Sequence, residues 1–300
     1  MVSKIDIIVK KKYRGFCAKN PRGEIMRVFS IALLLLFLVA CENPLLSQDE
    51  RLEHLYRAIE SGDGNKVKET VSKKIINKHL KNMDNPFIYA VSLGHEDIAL
   101  KMLDYNPDLK ETNIAGNTAL HIAAENSMND LAGKIISDSE IDINQVNDYG
   151  YTALHFSVEK QNEDLLELLL NNSADPNIAN KEGYAPIHRA AANNNLQIIE
   201  LLISQTNVNV QDVNGNTPLI YAVGQQSYDA SQLLLENGAD VNVANNQGVT
   251  PLANAVMFGD IRMVELLLAN KADVNQKVNG QEIALLTDNI QIKELLTKGG

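Results

Sequence analysis

The chain has 300 residues, a formal net charge of −11, no Trp, and only 5% aromatic residues. Its core must therefore rest on Leu, Ile, Val and Ala, which suits thin layers of small helices better than a bulky globule. Eight Lys or Arg and two Asp or Glu lie in the first 41 residues, so 27 basic and 38 acidic residues fall to 19 and 36 beyond them. That net of −17 repels nucleic acid phosphate rather than releasing its counterions.

Val28 to Ala40 form an almost wholly apolar run centred on Leu33-Leu34-Leu35-Leu36-Phe37-Leu38. A bilayer span needs about 20 such residues, and this run is shorter. Preceded by basic residues, it reads as the apolar region of a secretory signal. It ends in Leu38-Val39-Ala40-Cys41, which resembles the bacterial lipoprotein box. The resemblance implies cleavage before Cys41, a diacylglyceryl group and an N-acyl chain on that Cys, and anchoring to a bacterial membrane on its periplasmic or cell-surface face. Residues 1–40 are then a leader, and residues 41–50 are the lipidated Cys and a spacer. One acyl chain holds a protein only marginally, whereas two or more hold it stably. Lys10-Lys11-Lys12-Tyr13-Arg14 makes the region before the apolar run unusually long, and Met26-Arg27 offers a later start. With Cys17 in the leader and Cys41 acylated, the mature chain keeps no thiol and forms no disulfide.

Leu52, Leu55, Tyr56 and Ile59 recur at helical spacing, and after Ser61-Gly62-Asp63-Gly64 a shorter helix runs through Val67 and Val71. Lys66, Lys68, Lys73 and Lys74 are expected to face water, as a terminal unit requires. Beyond it one phrase keeps returning. It reads Asn117-Thr118-Ala119-Leu120-His121-Ile122-Ala123-Ala124, then Tyr151-Thr152-Ala153-Leu154-His155, Tyr184-Ala185-Pro186-Ile187-His188, Asn216-Thr217-Pro218-Leu219 and Val249-Thr250-Pro251-Leu252. A weaker copy starts at Asn85-Pro86. With the small residue as mark, Ala58, Ala90, Ala123, Ser157, Ala190, Ala222, Ala255 and Ala284 are separated by 32, 33, 34, 33, 32, 33 and 29 residues.

A period near 33 residues, with a phrase that varies on the family's Thr-Pro-Leu-His-x-Ala, resembles the ankyrin-repeat family over roughly residues 51–300. The resemblance implies an all-α repeat array in which each unit is a helix, a turn, a second helix and a β-hairpin finger. Capping repeats are expected at 51–82 and 279–300, with internal repeats at 83–115, 116–149, 150–182, 183–214, 215–247 and 248–278.

Within each unit, Thr at the start of the first helix caps an orphan N–H, and Pro218 and Pro251 occupy the first turn, where a missing N–H is harmless. Second helices carry the heavier apolar face, as in Leu165-Leu166-x-Leu168-Leu169-Leu170. Gly150, Gly183, Gly215 and Gly248 supply positive φ at the finger turns. The longer and shorter intervals fall at 137–141 and 204–208, both loops, where length changes are tolerated. Near Lys277-Val278-Asn279-Gly280 the finger is truncated.

Catalysis finds no motif. HExxH, GxSxG, P-loop, CxxC and EF-hand patterns are absent from the sequence, and no cofactor or metal is expected. His121, His155 and His188 recur one per unit, at about the 8–10 Å spacing of packed helices, whereas Zn²⁺ ligands lie about 2 Å from the metal. They match the family's His, whose imidazole bonds the unit's own Thr and the next finger; His188 departs by pairing with Ala185. In the ankyrin family, partners bind the concave side made by finger tips and first-helix ends. Matched residue by residue, that surface comprises Tyr149, Tyr151, Glu159, Lys160, Lys181, Glu182, Tyr184, Asn193, Asn216 and Phe258. Tyr149, Tyr151 and Tyr184 offer large contact area with few rotors, and equally could pack on neighbouring fingers. The expectation is a monomeric, non-catalytic module with a protein partner. The alternatives are an envelope scaffold, or a cytoplasmic or host-directed interaction protein if the N-terminus is not processed.

Overall fold

A computed structural model describes residues 46–299. The leader, the Met26 start and Cys41 lie outside the described residues. Helices follow in pairs: α1 (Gln48–Glu60) and α2 (Gly64–Thr70), α3 (Pro86–Ser92) and α4 (Glu96–Met102), α5 (Ala119–Glu125) and α6 (Asn129–Ile136), α7 (Ala153–Glu159) and α8 (Glu163–Asn171). Then come α9 (Pro186–Ala192) and α10 (Leu196–Ile203), α11 (Pro218–Gly224) and α12 (Tyr228–Glu236), α13 (Pro251–Phe258) and α14 (Ile261–Ala269). A 3₁₀ turn at Ile283–Leu286 and α15 (Ile290–Gly299) close the array.

The first helices α3, α5, α7, α9, α11 and α13 pack in succession, and the second helices α2 through α12 do the same in a parallel row. Most of these helices have only seven to nine residues, too short to persist alone in water. Burial against the neighbouring unit holds them. Leu120, Leu154, Leu219 and Leu252 point into one continuous core with Leu131, Leu166, Ile199, Leu234 and Val264. Ala90, Ala123, Ala190, Ala222 and Ala255 are fully buried where adjacent first helices approach. In the first unit Lys66, Lys68, Lys73 and Lys74 are exposed, while Val67 and Val71 turn inward.

Caps form as the sequence dictates. Asn85 Oδ1 accepts the Ile88 N–H at 2.7 Å, and Thr217 and Thr250 accept from Ile220 and Ala253 at 3.2 Å each. The corner between the two helices of a unit demands positive φ. Gly94 and Gly259 satisfy it freely, whereas Ser127, Gln161, Asn194 and Gln226 hold φ of 54–58° there.

The fingers differ from the expected hairpins. Among the described residues the one paired ladder is β1 (Lys277–Val278) with β2 (Gln281–Glu282), an antiparallel hairpin at the shortened finger, and Thr112 bridges Thr118 singly. Elsewhere a side chain replaces the ladder. Asn147 Oδ1 accepts the N–H groups of Tyr149 and Tyr151 at 2.9 and 3.0 Å, and Asn113, Asn180, Asp212 and Asn245 repeat the clamp. Each tip then passes one backbone bond to its neighbour, as in Asp148 N–H to Ala115 O, Lys181 to Tyr149 and Val213 to Glu182. So few backbone bonds make turns, not strands.

This close approach constrains the finger glycines. Gly183 has φ of 73°, and a Cβ there would lie 2.9 Å from the backbone N of Val213; at Gly248 the nearest atom would be 3.7 Å away. Gly183→Ala is expected to destabilise the array by more than Gly248→Ala, which carries only the left-handed penalty of about 1–2 kcal/mol. Gln226→Gly, which relieves a left-handed corner, is expected to be neutral to stabilising by about 1 kcal/mol. Urea unfolding followed by circular dichroism checks the ranking; equal losses at Gly183 and Gly248 would contradict the finger-contact argument.

Candidate partner-binding site

The site grows out of the three imidazoles. His121 Nδ1 accepts from the Thr118 hydroxyl at 2.7 Å and from its N–H at 3.2 Å, and Nε2–H donates to Tyr151 O at 3.0 Å. His155 does the same with Thr152 (2.9 and 3.1 Å) and Tyr184 O (3.1 Å). His188 lacks the Thr, yet its Nδ1 takes the Ala185 N–H at 3.0 Å and its Nε2 reaches Asn216 O at 3.2 Å. The backbone N–H thus suffices. Each ring ties the start of a first helix to the residue entering the next one, so Tyr151, Tyr184 and Asn216 are fixed in place by structural bonds.

On that frame lies a shallow cleft of about 240 Å³, lined by Tyr151, His155, Phe156, Glu159, Tyr184, Pro186 and Arg189. Tyr151 packs edge-on to His155 at 5.3 Å and tilted against Phe156 at 5.8 Å. Tyr184 stacks on His188 at 5.0 Å and meets Tyr221 edge-on at 5.2 Å. Across the rim Arg189 Nε pairs with Glu159 Oε2 at 2.5 Å, and its guanidinium sits 5.8 Å from the Tyr184 ring centre. Both charged side chains are about half exposed, so the pair contributes at most about 1 kcal/mol.

Behind the cleft Tyr221 donates its hydroxyl to Asp212 Oδ2 at 2.7 Å. Burial opposes the Asp212 charge, but that hydroxyl and the N–H groups of Asn216 and Asn214 hold its carboxyl below the usual range. Burial, with the neighbouring carboxylate, raises the Tyr221 phenol, and burial pushes Tyr184 up to about 12. Both phenols stay neutral and act as donors and apolar walls.

The surface residues expected from the sequence separate into groups. Tyr151, Glu159 and Tyr184 meet at the cleft. Tyr149, 62% exposed, stands on the finger tip, with Lys181 and Glu182 exposed on the next tip. Lys160 and Asn193 are exposed at the ends of α7 and α9. Asn216 is half-buried and occupied, accepting from Asn245 Nδ2 at 2.9 Å and donating to Asp212 at 3.3 Å. Phe258 is 55% exposed beside Met257, two units beyond the cleft. Phe156 and Arg189 were not among the expected residues. They share the position just before the mark, a column that runs Ile122, Phe156, Arg189, Tyr221 and Asn254, and that variation was the available signal. Among the described residues no group of His, Cys, Asp and Glu is arranged to hold a metal ion, and no helix is long and apolar enough to cross a membrane.

The family model described as ankyrin repeats matches at residues 55–147, 102–180, 157–245 and 187–278, together most of the chain. The chain belongs to the ankyrin-repeat family. Among solved structures it is similar to the ankyrin repeat domain of Bcl-3, described as a unique member of the IkappaB protein family, with a TM-score of 0.63 and 24% identity. That match covers 71% of this chain and 98% of the other, and it concerns the fold alone. No curated protein matches the sequence. Ankyrin repeats characteristically mediate protein–protein interaction, which makes the cleft and finger tips of this array the surface to examine.

The imidazoles also set a pH response. Burial lowers all three below the usual histidine value, and His155 falls to about 4, with smaller repulsion from its two imidazole neighbours. The unfolded chain takes up protons near pH 6.5 while the folded chain resists them, so stability drops as pH falls from about 6.5 towards 4. The His155 shift corresponds to about 3 kcal/mol at most. His155→Gln is expected to lower stability at pH 7 but to flatten its decline between pH 7 and pH 4.5. Urea midpoints across that range give the slope, and an unchanged slope would remove His155 from the account.

Proposed function

We propose that this protein is a non-catalytic interaction module whose partner protein docks over the Tyr151–Tyr184 cleft, the finger tips at Tyr149, Lys181 and Glu182, and the helix ends at Lys160 and Asn193. The cleft carries the reading: half-buried aromatic walls beside a charged rim provide an anchor pocket of the kind that concentrates binding energy. The face is charged and exposed at its edge and apolar at its centre, and the Tyr151 and Tyr184 backbones are held by the His121 and His155 rings without a partner. Phe258 and Met257 extend the contact towards the C-terminal units. We further propose export and anchoring through acylated Cys41, supported by the apolar run Val28–Ala40 and the Leu38-Val39-Ala40-Cys41 sequence. Such an anchor would leave the array outside the cytoplasm, on the periplasmic or cell-surface side.

Tyr184 is a poor probe of binding, because its ring supports His188 and Tyr221. Tyr149 is the better one. A photo-crosslinking residue at Tyr149 is expected to capture one discrete partner, whereas the same residue at Lys134, exposed on the second-helix row, captures none. Equal capture from both positions would overturn the assignment of the face. For the anchor, the intact mass of protein purified from its own cells is expected to start at Cys41 and include acyl chains. A chain starting at Met1 or Met26 without acyl groups would overturn it.

A further inference from the structure

Charge is distributed unevenly along the array. Residues 51–82 hold eight Lys or Arg against four Asp or Glu, a net of +4, while residues 83–299 hold 11 against 29, a net of −18. Within the first unit Lys66, Lys68, Lys73, Lys78 and Lys81 are all exposed, from α2 through the loop that follows it. Lys66 pairs with Asp63 at 3.0 Å. Lys68, Lys73, Lys78 and Lys81 form no ion pair among the described residues.

Solubility alone does not require this excess. A terminal unit needs a polar outer face, and the C-terminal one meets that need with mixed charges: Lys293 and Lys298 against Glu282, Asp288 and Glu294. The single-sign excess also sits at one place in the chain. It begins about ten residues after the apolar run and Cys41, across a spacer that carries Glu42, Asp49 and Glu50, and the large acidic excess of the other repeats lies beyond it. Screening confines surface electrostatics to about 8–10 Å, roughly the thickness of one stacked unit. An anionic surface next to the first unit would therefore attract that unit and repel whatever acidic repeat approached it.

We infer that the basic first repeat docks on anionic phospholipid, as a second membrane contact beside the Cys41 anchor. The inference rests on the membrane-anchored reading above. A lipid anchor combined with a polybasic surface is a physically sufficient pair of signals, each lysine near an anionic bilayer raising partitioning roughly fivefold. The opposite charges of the two parts also orient the array. The first repeat lies on the headgroups, and the acidic repeats, with the Tyr151–Tyr184 cleft among them, are held away from the surface and open to a partner.

The test uses the full chain carrying Cys41→Ser, so that acyl chains do not mask the electrostatic contact. Flotation is measured with phosphatidylcholine vesicles and with vesicles containing about 30% phosphatidylglycerol, at about 50 and 500 mM salt. The expected result is at least a tenfold gain in partitioning on the anionic vesicles at low salt, abolished at high salt. The gain should vanish with Lys68, Lys73, Lys78 and Lys81→Gln and persist with Lys293 and Lys298→Gln, all variants retaining the parent's melting curve. No gain on anionic vesicles, or an equal gain in the quadruple variant, overturns the proposal. So does equally tight, lysine-dependent binding of a single-stranded oligonucleotide, which would mark a general polyanion contact. Failure of the anchor reading is seen separately in the intact mass, since the vesicle comparison depends only on lipid charge.

Discussion

No unit of this protein can bury its own apolar surface, and everything else follows from that constraint. The residue just after the register mark shows it directly. Ile59, Val91, Ala124, Val158, Ala191, Val223 and Val256 are 0–1% exposed on first helices that pack in succession, whereas Leu285, on the 3₁₀ turn Ile283–Leu286, is 68% exposed. Stability is therefore a sum of nearest-neighbour interfaces, and small residues at the mark let those interfaces close.

The polar groups obey the same rule of neighbours. A finger without a strand ladder still has N–H groups to satisfy, and the Asn or Asp clamp takes two of them while the adjacent tip takes a third. Amides also join one finger to the next: Asn147 Nδ2 donates to Asn117 at 2.7 Å, and Asn245 Nδ2 to Asn216 at 2.9 Å. Asp212 has no amide hydrogen to give, and its spare oxygen instead receives the Tyr221 hydroxyl. One change from amide to carboxylate thus reorganises the wall behind the cleft and brings Tyr221 into the aromatic run.

The repeat period, the helix pairs and the Gly turns were legible in the sequence because each follows from spacing or from a single residue's conformational needs, and the structural role of the histidines followed from the family resemblance. The clamps were not, since an Asn in a turn reads only as a turn former, and the shared use of its oxygen depends on backbone directions. His188 was ambiguous beside Ala185 for a related reason: the donor that replaces the Thr hydroxyl is a backbone N–H, which no sequence position advertises. Asn216 looked like free surface and is in fact consumed by its neighbours. Arg189 joins the site because its side chain reaches back one unit to Glu159, a contact between repeats rather than within one, and Phe156 joins it by packing on the Tyr151 ring.

This economy limits how the binding face can vary. Tyr151 and Tyr184 present rings to the cleft, yet their carbonyls hold His121 and His155 and their rings pack on His155 and His188. Backbone bonds tolerate any side chain at those positions, as Asn216 shows by serving His188 in the same way. The histidine bond does not itself demand a ring at that column, where Asn117, Asn216 and Val249 also occur. Aromatic residues at two successive units, with Phe156 and Arg189 beside them, form a local departure from what stacking demands. The fold fixes where these side chains stand while leaving their identity open, and that freedom is what allows an array of similar repeats to carry one distinct contact surface.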